Sequence, residues 1–285
     1  MREVFIGSEE LASGRLTRAK LRWNYRRMFP DVYATSALPS LRERTLGAWL
    51  WSRRDGIIAG RAAAALHGAK WVNRGAPIEM IWKCGRPPSG LVVRSERIDG
   101  DEITQIDGLF VTTPERTALD LARHLPRNSA VVHLDALAQA SGVSAMDVLT
   151  LAHRYPGSRG IRSAITALSL MDDGAESPHE TLLRLVLRDK WLDVPTTQIR
   201  AGDGDVDAVI DVGYEEPRVG LDYEGKHFDE TDGVAEFTER AESLKGLGWH
   251  YRYVVCEDSV GSILEMVRQS FVRSGYRPTV NPSRR

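Results

Sequence analysis

"VDAVIDVGYEEPRVGLDYEGKHF" (residues 206–228) reads as two strands joined by a short turn. Residues two apart share a face of a strand, so Asp222, Glu224 and Lys226 point one way while Leu221 and Tyr223 point the other. On the preceding strand Val206, Ala208 and Ile210 supply one apolar face, and Asp211 ends that strand on the opposite face. A turn at "GYEEP" would bring Asp211 toward Asp222 and Glu224. Uncompensated carboxylates this close repel one another and lose hydration. A divalent cation removes both problems, and an all-oxygen ligand set of Asp211, Asp222 and Glu224 suits Mg²⁺ or Mn²⁺. Lys226 beside them would hold charge developing on a phosphate or orient water. The competing reading is a solvated sheet face on which Lys226 pairs with Glu224.

Working outward, "DDGAES" (172–177) reads as a linker. It is followed by a helix over 177–192, in which Ser177 caps, Pro178 takes the first helical position and Glu180 completes an S-x-x-E capping box. A strand is expected over 195–201, a helix over 234–249, a strand over 250–258 and a helix over 259–276. The pieces "ESPHETLLR" (176–184), "PTTQI" (195–199), "IDVGYEEPRVGLDYEGKH" (210–227) and "ERAESLKGLGWHYRYV" (239–254) resemble, as a set, the DUF559 family of Vsr-like domains in the PD-(D/E)XK restriction-endonuclease-like superfamily. The resemblance spans residues 176–275. It implies an α/β/α sheet domain in which Glu180, Asp211, Asp222 and Glu224 surround a metal, with Gln198 close by and Lys226 and His227 as further catalytic candidates. The chain departs from that pattern twice. It reads D-Y-E-G where the family more often reads E-x-D-G, so the two acids are exchanged. His227 also follows Gly225 one residue sooner than usual, and a one-residue shift in a strand turns a side chain to the other face. Glu180 is equally explained as a capping residue, Gln198 as a sheet-edge hydrogen-bonder and Trp249 as a core aromatic.

The front of the chain differs in charge. Residues 1–97 hold 18 Lys+Arg against 8 Asp+Glu, a balance of +10; residues 98–170 balance at −2 and residues 171–285 at −9, within a net charge of −1. Such a split indicates parts with different tasks, and a basic front third suits a polyanion. Residues 8–29 read as two short helices with Thr17 as an N-cap. Arg15, Arg18, Lys20, Arg22, Arg26 and Arg27 crowd the second, where they would lie against a phosphate backbone or enter a major groove. A third helix is expected over 40–54 and a small-residue helix over 57–69. Strands follow over 76–83 and 90–98. "GLFVTTPERTALDLARHL" (108–125) reads as strand, cap at Thr113 and helix, and residues 129–170 are helical in pieces. The series "LTRAKLRW…FPDVYAT", "GRAAAALHG" and "DGLFVTTPERTALDLA" resembles the AbiEi-type antitoxins of actinobacteria over residues 5–170. That resemblance implies a winged helix-turn-helix that binds double-stranded DNA, often the operator of the protein's own operon, followed by a mixed α/β region; a cognate toxin would be the partner.

The fold class expected is therefore α/β, α+β overall. A winged-helix domain occupies 1–97, an α/β to helical connecting region 98–171, and a restriction-endonuclease-like domain 172–285. Apolar residues are 42% of the chain and charged residues 27%, ordinary for a globular protein. No apolar run approaches a membrane span, no secretory leader is apparent, and two cysteines, Cys84 and Cys256, make neither a disulfide framework nor a zinc site. A bacterial cytoplasmic, nucleoid-associated protein is expected. The seven histidines are scattered and support no histidine metal site; His67 and His133 read as core histidines. Two functions stay open at this point: a Mg²⁺-dependent DNA endonuclease delivered by its winged helix, and an AbiEi-like antitoxin and transcriptional regulator whose back domain no longer turns over.

Overall fold

The computed structural model describes residues 3–191, 193–202, 207–224 and 231–279, with backbone only at 207 and 231–236. The chain divides into two compact units, Met1–Met171 and Asp172–Arg285. Together the described residues form a mixed α+β architecture of eleven α-helices and three sheets. Among them no helix is long and apolar enough to cross a membrane.

The first unit opens with β1 (Val4–Ile6), α1 (Gly7–Ala12), α2 (Arg18–Asn24), β2 (Arg26–Phe29) and β3 (Val32–Ala34). The strands form an antiparallel sheet in the order β1-β3-β2. The two short helices are thus followed directly by a strand hairpin. The second helix ends at Asn24, earlier than expected from sequence. Arg26 and Arg27 therefore sit on the hairpin, where Arg26–Phe29 pairs with β3, and not on the helix. Next, α3 (Leu41–Trp51) begins at a reciprocal capping box between Ser40 and Glu43.

A five-stranded sheet follows, built from β4 (Ile57–Ala59), β5 (Ile78–Ile81), β6 (Leu91–Arg94), β7 (Ile103–Ile106) and β8 (Leu109–Thr112) in the order β6-β5-β4-β8-β7. It takes strands from both sides of position 97. Residues 57–69 are not one helix: Ile57–Ala59 is the central strand, and Gly60, at φ +56°, turns the chain into α4 (Gly60–Leu66). A Cβ at Gly60 would stand 2.6 Å from the Glu79 carboxyl, which is buried between Arg61 (3.0 Å) and Arg94 (2.8 Å). Then come α5 (Pro114–His124), α6 (Arg127–Ser141), α7 (Ala145–Ala152) and α8 (Ile161–Leu168). Thr113 caps α5 and Pro114 starts it, as the sequence implies. The alanines of α4 and the buried Ala118 and Ala122 of α5 let these helices approach closely.

In the second unit α9 (Pro178–Lys190) precedes β9 (Thr196–Gly202), β10 (Asp207–Tyr214) and β11 (Val219–Glu224); α10 (Thr231–Gly246), β12 (His250–Val255) and α11 (Val260–Ser274) complete it. The sheet order is β12-β11-β10-β9, antiparallel except for the parallel β11–β12 pair. Leu183 and Leu187 of α9 pack with Ile263, Val267 and Phe271 of α11 on Val212, Leu221 and Val254. On the other face Leu244 of α10 packs with Ile199, Ala208, Ile210 and Trp249. The result is a three-layer α/β/α unit. Asp211 lies in the middle of β10 and not at its end, because the strand runs on to Tyr214.

Candidate functional site

The hairpin site is made by an interrupted ladder. The β10–β11 pairing covers 212–214 against 219–221. On the other side of β10 the register passes from Ile210↔Ile199 to Val212↔Thr197, skipping Asp211 and Gln198, whose φ is +50°. With regular pairing broken at Asp211, carboxylates replace carbonyls. The Asp211 amide donates to Asp222 Oδ1 (2.8 Å), and the Tyr223 amide donates to Asp211 Oδ2 (2.9 Å).

The second oxygen of Asp222 faces α10 and β12. Arg240 donates to it from Nη2 (2.8 Å) and Nε (3.2 Å), and the Tyr251 hydroxyl donates at 2.5 Å. Arg240 also donates to the Val209 carbonyl and lies over the Tyr251 ring, 5.9 Å from its centre. Burial works against the Arg240 charge, but the bonds to Tyr251 and Asp222 outweigh it and hold the guanidinium ionised. Burial likewise pushes the Tyr251 hydroxyl well up, reinforced by the Asp222 charge.

Among the described residues no cation bonds Asp211 in this way. Burial pushes its carboxyl up to about 7, with the negative charges of Asp222 and Glu180 adding to the rise and the Tyr223 amide opposing it. Glu180 is buried on the first turn of α9. The expected capping box forms in one direction only: Ser177 accepts the Glu180 amide at 3.2 Å, but the Glu180 carboxylate accepts the Glu176 amide (2.8 Å) rather than reaching back to Ser177. His179, beside it, stacks flat on Tyr223 with centroids 4.3 Å apart.

Asp222 and Glu180 are thus near enough for their charges to act on Asp211, and Glu224 follows Asp222 two residues along β11. Lys226 and His227 lie outside the described residues. Among those described, the acidic and histidine groups whose ligand atoms converge within 4.8 Å are Glu96–Asp120–His124 and Asp99–Asp101–Glu102; the hairpin acids are not so gathered. For a divalent ion the fit is partial. Asp211 sits in a negative surrounding that asks for a cation, whereas the Asp222 charge is already met by Arg240. Sequence reasoning missed Arg240 and Tyr251, although both fall inside "ERAESLKGLGWHYRYV" (239–254).

The basic surface is built separately. Thr17 accepts the Lys20 amide (3.3 Å) and starts α2, while Leu21 turns into a small core with Phe5 and Leu16. That orientation leaves Arg18, Lys20 and Arg22 exposed together with Trp23, whose ring lies beneath the Arg22 guanidinium at 5.6 Å. Arg15 is exposed but forks onto Glu10 at 2.6 and 2.8 Å. Arg26 and Arg27 are exposed on β2, and Arg26 donates to the Ala37 carbonyl.

A buried ionic network was not legible in the sequence. Arg116, fully buried on α5, donates to Glu102 (2.7 Å), Asp120 (3.0 Å) and the Tyr155 hydroxyl (3.0 Å), and Tyr155 in turn donates to Glu102. Arg123 and His124 close the outer side on Glu96 at 2.8 and 3.1 Å, and the His124 contact first, then Arg123, hold the Glu96 carboxyl down at about 2. Each of its three carboxylates, Glu96, Glu102 and Asp120, is already bonded by Arg116 or Arg123, which disfavours a metal there.

Residues 56–173 match the family described as the AbiEi antitoxin C-terminal domain. The match runs from β4 through α8, so it takes in the five-stranded sheet and the Arg116 network and stops short of the hairpin. Two proteins of Mycobacterium tuberculosis, the uncharacterized proteins Rv2248 and MT2308 of two strains, are each 29% identical to this chain over 238 residues, covering 81% of this chain and 86% of each relative.

Proposed function

We propose that this protein is an AbiEi-like antitoxin and transcriptional autoregulator. In this reading the winged helix holds operator DNA, the α/β part engages a cognate toxin, and the second unit is a nuclease-like domain of PD-(D/E)XK type that does not turn over. The observation that carries it is the antitoxin-domain match across residues 56–173. The exposed cations of α2 support the DNA half: they stand on the helix that such folds place in the major groove. The ion pair of Asp222 with Arg240 supports the inactive half, because a carboxylate committed to a guanidinium has less to offer a metal. The test is twofold. Duplex DNA from upstream of the protein's own gene should be bound with affinity that falls steeply with salt, and co-expression should relieve growth arrest by the product of the adjacent gene. Binding to that DNA no better than to random duplex, with no relief of arrest, would overturn the assignment.

A second reading, metal-dependent phosphodiester hydrolysis, draws on one specific observation: the raised Asp211 carboxyl beside Glu180 and Asp222. Asp211, Asp222 and Glu224 would hold Mg²⁺ or Mn²⁺, with Glu180, Lys226 and His227 as the remaining candidates. A bound ion would supply charge neutralisation at a phosphate and acidify water. In the metal-free chain Asp211 itself, half-protonated near neutrality, would exchange protons with solvent. Nicking of supercoiled plasmid by wild type, lost in Asp211→Ala, would establish this reading over the first.

A further inference from the structure

We propose that the β12 edge of the second unit is a strand-addition site for an acidic, alternating segment of another protein. β12 is the terminal strand of its sheet, paired only with β11 among the described residues. Its inner side is fixed by the His250 amide, which donates to the Arg218 carbonyl at 2.7 Å. In a parallel ladder alternate residues bond the same neighbour, so His250, Arg252 and Val254 turn their main chain to β11. The main-chain groups of Tyr251 and Tyr253 face outward. At the far end Asp258 accepts the Val255 amide (3.0 Å), which closes the edge at that residue. The other edge of the sheet, β9, is broken by the left-handed Gln198, a device that blunts strand addition. β12 is regular over its six residues.

The edge is the floor of a groove of about 520 Å³ between α10 and α11. The two sides of the groove differ in chemistry. Toward α10 it is aromatic, with Trp249, Tyr251 and Tyr253. Toward α11 it is basic: His250 and Arg252 share the face of the buried Val254, and Arg273 stands beside them on α11. The acid that lines the groove, Glu242, is on α10 and pairs with Lys245 at 3.7 Å. This basic strip lies in a unit whose balance is −9 over residues 171–285. The side chains of a strand alternate between faces. An added strand therefore meets cations with one set of residues and aromatic rings with the other, which selects alternation of acidic and apolar side chains. The outward N–H and C=O groups select a peptide over a nucleic acid, because a phosphate backbone accepts hydrogen bonds but donates none. A second copy of β12 is disfavoured, since antiparallel pairing would oppose Arg252 to its own symmetry mate. The groove shares Tyr251 with the hairpin, where its hydroxyl donates to Asp222, but none of the hairpin acids lines it.

The test uses the full-length chain and two end-blocked, fluorescently labelled octapeptides, one alternating Val and Glu, the other Val and Lys. The Val–Glu peptide should bind about tenfold tighter or more, as expected for complementary charge across a strand pair. N-methylation of the residues that face the edge should weaken it by about as much, through loss of main-chain bonds. Because Arg252 and Arg273 are exposed, the double variant Arg252→Glu/Arg273→Glu should keep its melting temperature and reverse the preference toward the Val–Lys peptide. Equal binding of both peptides, or none at millimolar concentration, overturns the proposal. So does binding that N-methylation leaves unchanged and single-stranded DNA displaces, which would make the strip a nucleic-acid surface. A dimer of the wild-type chain that the double variant dissociates would assign the edge to a second copy instead.

Discussion

Asp211 and Asp222 exchange side-chain bonds across the hairpin: each carboxylate accepts a backbone amide of the opposite strand, 2.8 Å from Asp211 to Asp222 and 2.9 Å from Tyr223 to Asp211. The two are nevertheless unequal, because Arg240 neutralises Asp222 and no described cation does the same for Asp211. The consequence is a pH dependence. The Asp211 carboxyl, ordinarily near 3.8, is pushed up to about 7 in the folded chain. The folded state therefore holds this proton more tightly than the unfolded state. The stability it contributes is complete below about 4 and is lost as pH rises through about 7. Asp211→Asn should raise the melting temperature at pH 8 and change it little at pH 4. A variant that is stabilised at pH 4 and not at pH 8 would contradict the burial cause.

Removing Arg240 should be costly because it strands a buried carboxylate. Arg240→Met leaves Asp222 with the Tyr251 hydroxyl and the Asp211 amide but no cation, and should destabilise the chain by about 1.5–3 kcal/mol, the range for a lost hydrogen bond to a charged group. Adding Asp222→Asn in the same chain should restore part of that loss, since the uncompensated charge is then gone. Denaturant melts of the two single variants and the double variant measure the coupling; additive losses would mean that the pair is not energetically linked.

How far the sequence could be read follows from which signals are local. Caps at Thr17, Thr113 and Ser177 were legible because capping depends on residues three apart. The face alternation of Leu221, Asp222 and Tyr223 was legible because a strand has a period of two. By contrast, Ile57–Ala59 lies directly before an alanine run, and its strand character comes from β5 and β8 on either side, 20 or more positions later in the chain. Ile103–Ile106 is likewise a strand only through β8. At the hairpin the candidate acids were visible, but the partners of Asp222 lie 18 and 29 residues away, on α10 and β12, and no spacing rule reaches them.

Arg116 should be essential to the first unit. Its guanidinium is fully buried, and its deletion would leave Glu102 and Asp120 charged and without it. Arg116→Met should cost about 3–5 kcal/mol, the range for breaking a buried ion pair from one side. Arg116→Lys should not restore stability, because an ammonium cannot serve Glu102, Asp120 and Tyr155 with one planar fork. Near-wild-type melting of either variant would show that the network is not a structural requirement.

DNA affinity should divide the basic residues by their present partners. Arg18, Lys20 and Arg22 are exposed on α2. Alanine at each should weaken duplex binding and lower the salt slope by about one for every phosphate left without its cation. Arg15→Ala should have a smaller effect, since Arg15 already forks onto Glu10. Anisotropy titrations between about 50 and 200 mM salt separate these effects. Equal decreases at Arg15 and Arg22 would argue that total charge, and not the face of α2, governs the interaction.

The hairpin offers a direct way to separate the regulator reading from the hydrolysis reading. Asp222 cannot serve Arg240 and a divalent ion equally well, because both compete for the same carboxylate oxygen. In the regulator reading the guanidinium holds that oxygen, so wild-type protein should show weak Mg²⁺ binding and no plasmid nicking. Arg240→Met leaves that oxygen with the Tyr251 hydroxyl and no cation, and restores the repulsion among Asp211, Asp222 and Glu180 that a cation relieves. Calorimetric Mg²⁺ affinity should then rise, by about tenfold for each 1.4 kcal/mol of competition removed, and added Mg²⁺ should recover part of the lowered melting temperature. Placing Asp211→Ala in the same chain should abolish both gains. Tight Mg²⁺ binding and nicking by the wild-type protein, undiminished relative to Arg240→Met, would show that Arg240 does not compete with metal and would move the function to hydrolysis.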